Sequence, residues 1–62
     1  MSVREKTRDI EIASPMLQDW ADECRFTIEH WHERRYGEYH TVTVLAFDSD
    51  GKAHTNTLRW KE

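Results

Sequence analysis

The sequence predicts an α+β domain: a three-stranded, largely antiparallel sheet with one long helix packed on one face, in the order β-α-β-β. Three observations predict this fold. Apolar residues alternate with polar ones over residues 8–13, a segment almost free of helix breakers covers residues 15–36, and two strand-like segments flank a turn at residues 48–52. With 62 residues, the chain supports one small domain, residues 1–62, and no more.

The first strand is predicted at residues 8–13. Ile10 and Ile12 are separated there by a polar residue, as in a half-buried strand. This strand would lie beside the hairpin formed by the end of the chain and complete the sheet. Residues 1–7 contain too few apolar side chains to require order, so fraying of this segment is compatible with the fold.

The helix is predicted over residues 15–36. The Ser14 hydroxyl can accept a hydrogen bond from a free amide of the first turn, and Pro15 loses no useful donor at the first helical position. Gly37 is the expected end, because glycine adopts the left-handed conformation without steric cost. With a rise of about 1.5 Å per residue, the helix would be roughly 33 Å long.

A β-hairpin is predicted for the rest of the chain. Residues 39–47 and 53–60 are rich in β-branched and aromatic side chains, and Gly51 suits the positive φ of a bulged turn. Pairing of Asp48 with Lys52 would fix the register of the two strands. The residues then predicted to lie opposite each other are Val42 and Leu58, Val44 and Asn56, and His40 and Trp60.

One side of the predicted helix is apolar. At about 100° per residue, its apolar side chains fall on a stripe roughly 80° wide, flanked by Ala21. We expect this stripe to pack on one face of the hairpin; the opposite choice of core face, with Leu45 and Phe47 inward, remains open. The stripe consists of Leu17, Trp20, Cys24, Ile28 and Trp31, and the expected core face of the hairpin consists of Val42, Val44, Ala46 and Leu58.

The opposite side of the predicted helix is acidic. Five carboxylates project into an arc of about 120°, with Phe26 near its centre, and the arginines of the helix lie outside it. A solubilising helix usually mixes charges of both signs, so this segregation favours docking on a basic partner, with plain solvation as the alternative. Phe26 would be the apolar anchor of that surface. The predicted partner-binding residues are Asp19, Asp22, Glu23, Phe26, Glu29 and Glu33.

The sequence contains no pattern that indicates a metal site or a catalytic site. His30 and His32 would point in different directions on a helix, whereas a helical metal pair has a spacing of three or four. Gly37 and Gly51 are the two glycines, so a glycine-rich phosphate loop is excluded. Carboxylates on a convex helix do not form the cleft that catalysis needs. We therefore expect a protein that is not an enzyme and has no catalytic residues, metal or cofactor.

The second face of the hairpin is the basis of two rival functions. Leu45 and Phe47 would be exposed on it, because one helix covers only one side of a sheet. A homo-oligomeric structural or regulatory module that associates through this face is the first rival. Nucleic-acid binding by the exposed aromatic side chains is the second, and it is disfavoured because Arg59 is the only cation expected there.

Composition and charge limit the class of protein. The formal charge of -3 argues against general affinity for nucleic acid and favours a basic partner. Cys24 is the single cysteine, so an internal disulfide is excluded. No apolar segment approaches the roughly 20 residues that span a bilayer, and the N-terminal residues do not resemble a signal peptide. We expect a soluble, cytoplasmic protein that does not contact membranes.

A small, acidic β-α-β-β chain without a catalytic motif resembles some phage-encoded anti-CRISPR proteins, several of which inhibit type I surveillance complexes. The resemblance covers the whole chain in length, charge and element order, and includes no residue-by-residue motif. It implies a non-enzymatic inhibitor in a bacterial host, which acts as a DNA mimic and occupies the basic nucleic-acid-binding surface of a Cas subunit. The acidic helix face would make that contact. We expect a monomer that does not bind nucleic acid itself, with a homodimer as the alternative.

Overall fold

The computed structural model describes residues 7–61 as one helix followed by three strands. The elements are α1 (Arg8–Cys24), β1 (Thr27–Tyr36), β2 (Tyr39–Phe47) and β3 (Ala53–Lys61). The strands form an antiparallel sheet in the order β1-β2-β3, and α1 packs on one face. The predicted α+β class and three-stranded antiparallel sheet are confirmed, but the order β-α-β-β is wrong because the helix precedes the strands. Fraying was expected for residues 1–7, and residues 1–6 lie outside the described residues.

Helix α1 begins where the sequence predicted a strand. Thr7 is its N-cap, and the Thr7 side-chain oxygen accepts a hydrogen bond from the backbone N–H of Ile10 at 3.2 Å. Ile10 packs against the core whereas Ile12 is 51% exposed, because residues two apart on a helix point to nearly opposite sides. The strand predicted at residues 8–13 is therefore wrong. Its alternation rested on two apolar residues, which one turn of helix accommodates equally well.

Ser14 and Pro15 lie inside α1 rather than at its start, so the predicted helix start is wrong. Proline has no N–H, and the carbonyl of Glu11 therefore loses the amide donor that it would have in a regular helix. The Ser14 hydroxyl donates to this carbonyl at 3.4 Å and replaces part of the lost bond. Pro15 itself is exposed, so its ring does not disturb the core.

Helix α1 ends at Cys24, so the helix predicted over residues 15–36 is wrong. Arg25 follows it in the left-handed conformation, with a φ of 63°. The N–H of Phe26 then donates to the carbonyl of Ala21 at 2.8 Å, as in a Schellman motif. Glycine is the usual residue at the left-handed position, and an arginine in its place conceals the helix end from prediction.

Strand β1 contains a β-bulge, which explains why its sequence resembled a helix. The register with β2 shifts between Ile28 and His30, so that Glu29 is the extra residue. Ile28 and Trp31 consequently lie on the same side of the sheet although they are three residues apart. A spacing of three between apolar residues is also typical of a helix, whose period is about 3.6 residues. The bulge therefore gives a strand a helical apolar pattern.

The predicted hairpin and its register are confirmed. The N–H of Asp48 donates to the carbonyl of Lys52 at 3.0 Å, and Gly51 has a φ of 82° in the turn between them. Strands β2 and β3 pair without a register shift. The residues that lie opposite each other are Val42 and Leu58, Val44 and Asn56, and His40 and Trp60, as predicted.

The core lies between α1 and the middle strand β2. It is small, since the buried hydrophobic side chains of residues 7–61 are three alanines, two valines and one leucine. Trp20 and Trp31 are half-buried and pack against it, whereas Cys24, predicted to face the core, is exposed. The predicted core face of the hairpin is confirmed, and the choice with Leu45 and Phe47 inward is wrong. That core face contains Val42, Val44 and Ala46, all buried, and the half-buried Leu58.

Replacing Pro15 by alanine should stabilise the domain, because the new N–H can donate to the carbonyl of Glu11. An interior proline costs about 3 kcal/mol and the Ser14 hydroxyl offsets part of that, so we expect the free energy of unfolding to rise by about 1–2 kcal/mol. Urea denaturation followed by tryptophan fluorescence measures the change. Ser14→Ala with Pro15 retained is the control, and it should lower stability. An unchanged or lower stability of Pro15→Ala contradicts a helix that continues through this position.

Candidate functional site

The six predicted partner-binding residues do not form one surface. Their five carboxylates are exposed, but they are divided between two elements, because the chain changes from helix to strand at Arg25 and Phe26. The acidic face predicted along one continuous helix is therefore wrong. Asp19, Asp22 and Glu23 lie in the last turns of α1, Phe26 lies in the link, and Glu29 and Glu33 lie on β1.

Phe26 is not the exposed anchor that the sequence predicted. Its ring lies edge-on to the ring of Trp20, with centroids 5.4 Å apart, and stacks on the ring of His54 at 4.1 Å and 12°. The side chain is half-buried between the helix and the edge strand β3. Phe26 therefore closes the end of α1 against the sheet, which is the hydrophobic contact that commonly accompanies a Schellman motif.

The side of the sheet that α1 does not cover is called here the open face. Side chains alternate between the two sides of a strand, so each strand contributes every second residue to this face, with one extra step at the bulge of β1. Five side chains come from each strand. They are Thr27, His30, His32, Arg34 and Tyr36 on β1; Tyr39, Thr41, Thr43, Leu45 and Phe47 on β2; and Ala53, Thr55, Thr57, Arg59 and Lys61 on β3.

The open face is basic although the whole chain is acidic. Arg34, Arg59 and Lys61 give it three positive charges, and its strands contribute no carboxylate among the described positions. Lys61 is paired with the carboxylate of Glu38, in the turn between β1 and β2, at 3.3 Å. His30 and His32 also lie on this face. Arg59 was predicted to be the only cation here, because the residues of β1 were expected on a helix and the last strand was expected to end at residue 60. Once β1 is a strand, alternation brings Arg34 to this face and Arg35 to the helix side.

Two tyrosines at one end of the open face are held by arginines. Tyr36 and Tyr39 lie opposite each other and are 56% and 40% exposed. Arg34 donates from Nη1 to the Tyr36 hydroxyl at 2.9 Å, and this bond raises the pKa of the Arg34 guanidinium. The guanidinium of Arg59 lies over the ring of Tyr39, 4.7 Å from its centroid. These four side chains form an exposed cluster of aromatic rings and cations.

The floor beside this cluster is lined with threonine hydroxyls. The Thr41 hydroxyl donates to the carbonyl of Arg34 at 2.9 Å, and the hydroxyl oxygens of Thr43 and Thr57 lie 2.9 Å apart. These bonds fix the rotamers of the side chains, so the floor is already ordered without a ligand. The result is a shallow hollow of about 370 Å³, lined by His32, Arg34, Tyr36, Thr41, Thr43 and Thr57.

A second cavity, of about 290 Å³, lies on the helix side of the sheet near the start of α1. Nδ1 of the buried His40 is 2.9 Å from Oδ2 of the buried Asp9, and the ring of His40 stacks on Trp60. This pair connects the first turn of α1 to the middle strand. Arg35 and Glu33 also line the cavity, so its charges are mixed. No local pattern indicates this pair, because its two residues are 31 positions apart.

Asp48 organises the turn between β2 and β3. Its Oδ1 accepts hydrogen bonds from the N–H groups of Asp50 and Lys52, both at 2.9 Å, and its Oδ2 lies 3.0 Å from Nε2 of His54. The bond with His54, followed by the bond with Lys52, lowers the pKa of the Asp48 carboxyl below its ordinary value. The charged form of Asp48 therefore stabilises the hairpin.

The comparisons with known proteins assign no family to this chain. No family, curated protein or solved structure matches it. Within residues 7–61, α1 is the only helix, and it is not long and apolar enough to cross a membrane. The same residues contain no group of three His, Cys, Asp or Glu side chains placed to hold a metal ion. The open face is therefore the surface from which a function is inferred below.

Neutralising Asp48 should remove a pH-dependent part of the stability. A carboxyl whose pKa is lowered by folding stabilises the folded state above its unfolded pKa, and this contribution is lost as the pH falls through the lowered value. We therefore expect Asp48→Asn to lower the free energy of unfolding at pH 6, and the difference from wild type to shrink towards pH 3. Urea denaturation at both pH values measures this.

Asp50→Asn is the matched control for this prediction, because it removes a carboxylate from the same turn without removing the contact to His54. It should leave the pH profile of the wild type intact. The role of Asp48 is contradicted if the wild type and the Asp48→Asn variant lose stability in parallel between pH 6 and pH 3.

Proposed function

We propose that this protein is a non-enzymatic binding module whose open face takes single-stranded nucleic acid. The observation that carries the proposal is the segregation of charge. The chain has a formal charge of -3, yet the strands of the open face carry three cations and no carboxylate among the described positions, and Glu38 in the β1–β2 turn pairs with one of the cations, Lys61. A surface that served solubility alone would mix both signs. A basic face on an acidic protein suits a polyanion, whose phosphates attract Lys and Arg.

The tyrosines of the open face supply rings on which bases can stack, which cations that bind phosphate do not. Tyr36 and Tyr39 are exposed beside the cations, and every nucleic-acid base can stack on such a ring. The guanidinium plane of Arg59, which lies over Tyr39, offers a second kind of stacking surface. Rings that bind bases and cations that bind phosphates therefore lie side by side at one end of the sheet.

The shape of the open face favours a single strand over a duplex. Bases of a single strand are free to splay out and lie flat on a sheet, whereas bases inside a duplex are not. The face is also long, since Tyr39 and Phe47 lie at opposite ends of β2, roughly 27 Å apart at about 3.4 Å per residue. Between them lie threonines and Leu45, which offer hydroxyl groups and a small apolar contact.

A homo-oligomer that associates through the open face is less well supported. In a two-fold dimer, the same patch of both copies meets itself, so the three cations of one copy would approach the three of the other. Within the described positions, Glu38 compensates Lys61, and no carboxylate on the strands of the face compensates Arg34 or Arg59. The exposed residues are also mostly threonines and cations rather than large apolar side chains, which the core of a dimer interface requires.

Binding of a labelled single-stranded oligonucleotide of about 12 nucleotides, measured by fluorescence anisotropy, tests the proposal. We expect Tyr39→Ser to weaken binding by about 5- to 100-fold, because stacking contributes about 1–3 kcal/mol per base. Arg59→Gln should also weaken binding, and it should reduce the salt slope of log K by about 0.7, as expected for one lost phosphate contact on a single strand.

Arg25→Gln is the matched control for Arg59→Gln, because it removes an exposed cation that is not on the open face. It should leave both the affinity and the salt slope close to wild type. Absence of binding to single-stranded DNA and RNA at low salt contradicts the proposal. Equal losses in Arg25→Gln and Arg59→Gln would also contradict it, because they would indicate binding without a defined face.

Inhibition of a basic nucleic-acid-binding protein is the second candidate. The resemblance to anti-CRISPR proteins implied it, and that resemblance now rests on length and charge, because the element order is α-β-β-β rather than β-α-β-β. The observation that favours this candidate is the solvent side of α1, which has exposed acidic residues and two large exposed apolar side chains. Ile12 is 51% and Met16 is 62% exposed, and they would replace Phe26 as the apolar anchor. The carboxylates of this surface are Glu11, Asp19, Asp22 and Glu23.

Charge reversal on α1 tests this second candidate. In a competition assay with target DNA and a type I surveillance complex, Asp19→Lys with Asp22→Lys should abolish inhibition, because the docking surface would repel the basic target. Glu29→Lys with Glu33→Lys is the matched control, since these two carboxylates lie on β1, and it should retain inhibition. An acidic docking surface on α1 is contradicted if the wild type does not displace DNA. It is also contradicted if Glu29→Lys with Glu33→Lys loses inhibition while Asp19→Lys with Asp22→Lys retains it.

A further inference from the structure

Strand β3 forms a long, regular edge of the sheet. It is nine residues long, from Ala53 to Lys61, and pairs with β2 without interruption. Its outer backbone groups have no neighbouring strand among residues 7–61. An exposed edge of this kind offers a row of N–H and C=O groups to another strand. The strand contains no proline or glycine, and its charged residues, Arg59 and Lys61, lie within its last three positions.

The opposite edge, β1, has the features that normally prevent pairing. Its bulge at Glu29 interrupts the regular spacing of backbone groups. Glu33, Arg34 and Arg35 follow in sequence and place charges of both signs along the strand. Natural sheets use bulges and charged residues to block edge pairing. β1 has both, whereas β3 has no bulge and its two cations lie within its last three residues, so β3 is the less protected edge.

We infer that β3 pairs with β3 of a second copy of this chain, antiparallel and around a two-fold axis close to Thr57. This register pairs the whole strand, because Thr57 is its central residue. It also keeps like charges apart: Arg59 would lie opposite Thr55 of the second copy, and Lys61 opposite Ala53. Pairing centred on Arg59 would instead place two guanidinium groups directly opposite each other, which is unfavourable.

Association through β3 adds buried surface and backbone hydrogen bonds to a domain whose own core is small. Its buried hydrophobic side chains, within the described residues, include three alanines, and a core this small rarely supplies enough stability alone. Leu58 and Trp60 lie on the helix side of β3 and are only half-buried. A second copy of β3 covers their exposed edges and pairs the free backbone groups. The product is a continuous six-stranded sheet with both helices on one side.

Size exclusion coupled to light scattering, performed with the full chain, tests the inference. We expect the wild type to be a dimer of two 7.5 kDa subunits. Thr57→Lys should convert it to a monomer, because Thr57 lies opposite itself at the axis and two ammonium groups would then meet. Thr57→Glu should do the same. An equimolar mixture of the two variants should restore the dimer, since opposite charges would face each other.

Two controls make the experiment decisive. Thr57→Val removes the hydroxyl that contacts Thr43 without adding a charge, and it should remain a dimer. His32→Lys adds a cation to the open face of β1, the other edge, and it should also remain a dimer. Recovery of the dimer on mixing shows that the charged variants fold. A monomeric wild type, a Thr57→Lys variant that remains dimeric, or failure of the mixture to associate overturns the inference.

Discussion

The Schellman motif at the end of α1 is the local interaction on which the rest of the structure depends. Arg25 in the left-handed conformation and the bond from the N–H of Phe26 to the carbonyl of Ala21 stop the helix and redirect the chain. Phe26 then packs between Trp20 and His54 and fixes the angle of departure. Residues after this point form β1 instead of further helical turns. The composition of both faces of the sheet follows from that change.

The parts of the fold that could be predicted from sequence are those with local signals. The β2–β3 turn has a glycine at the position that needs positive φ, and the register follows from it. The helix boundaries were predicted wrongly for two reasons. The interior Ser14 and Pro15 resemble a helix start although the true N-cap is Thr7, and the helix end has Arg25 instead of glycine. The bulge at Glu29 also gave β1 an apolar spacing of three, which is the spacing of a helix.

The candidate site could not be predicted for the same reason. A helix distributes its charges by angle, whereas a strand distributes them by alternation, so the secondary structure of residues 27–36 decides which charges share a surface. On a helix, Glu29 and Glu33 extend an acidic stripe. On the strand, Arg34 joins Arg59 on the open face, and the net charge of the chain no longer describes the surface that meets a partner.

The buried pair of Asp9 and His40 also bears on how the chain folds. The helix and both hairpins consist of contacts between residues close in sequence, which form rapidly, whereas this pair joins residues 31 positions apart. We expect docking of the first helical turn on the middle strand to be a late event. An interaction that forms after the transition state slows unfolding and leaves the folding rate almost unchanged. The pair would thus govern the lifetime of the native state more than the speed at which it is reached.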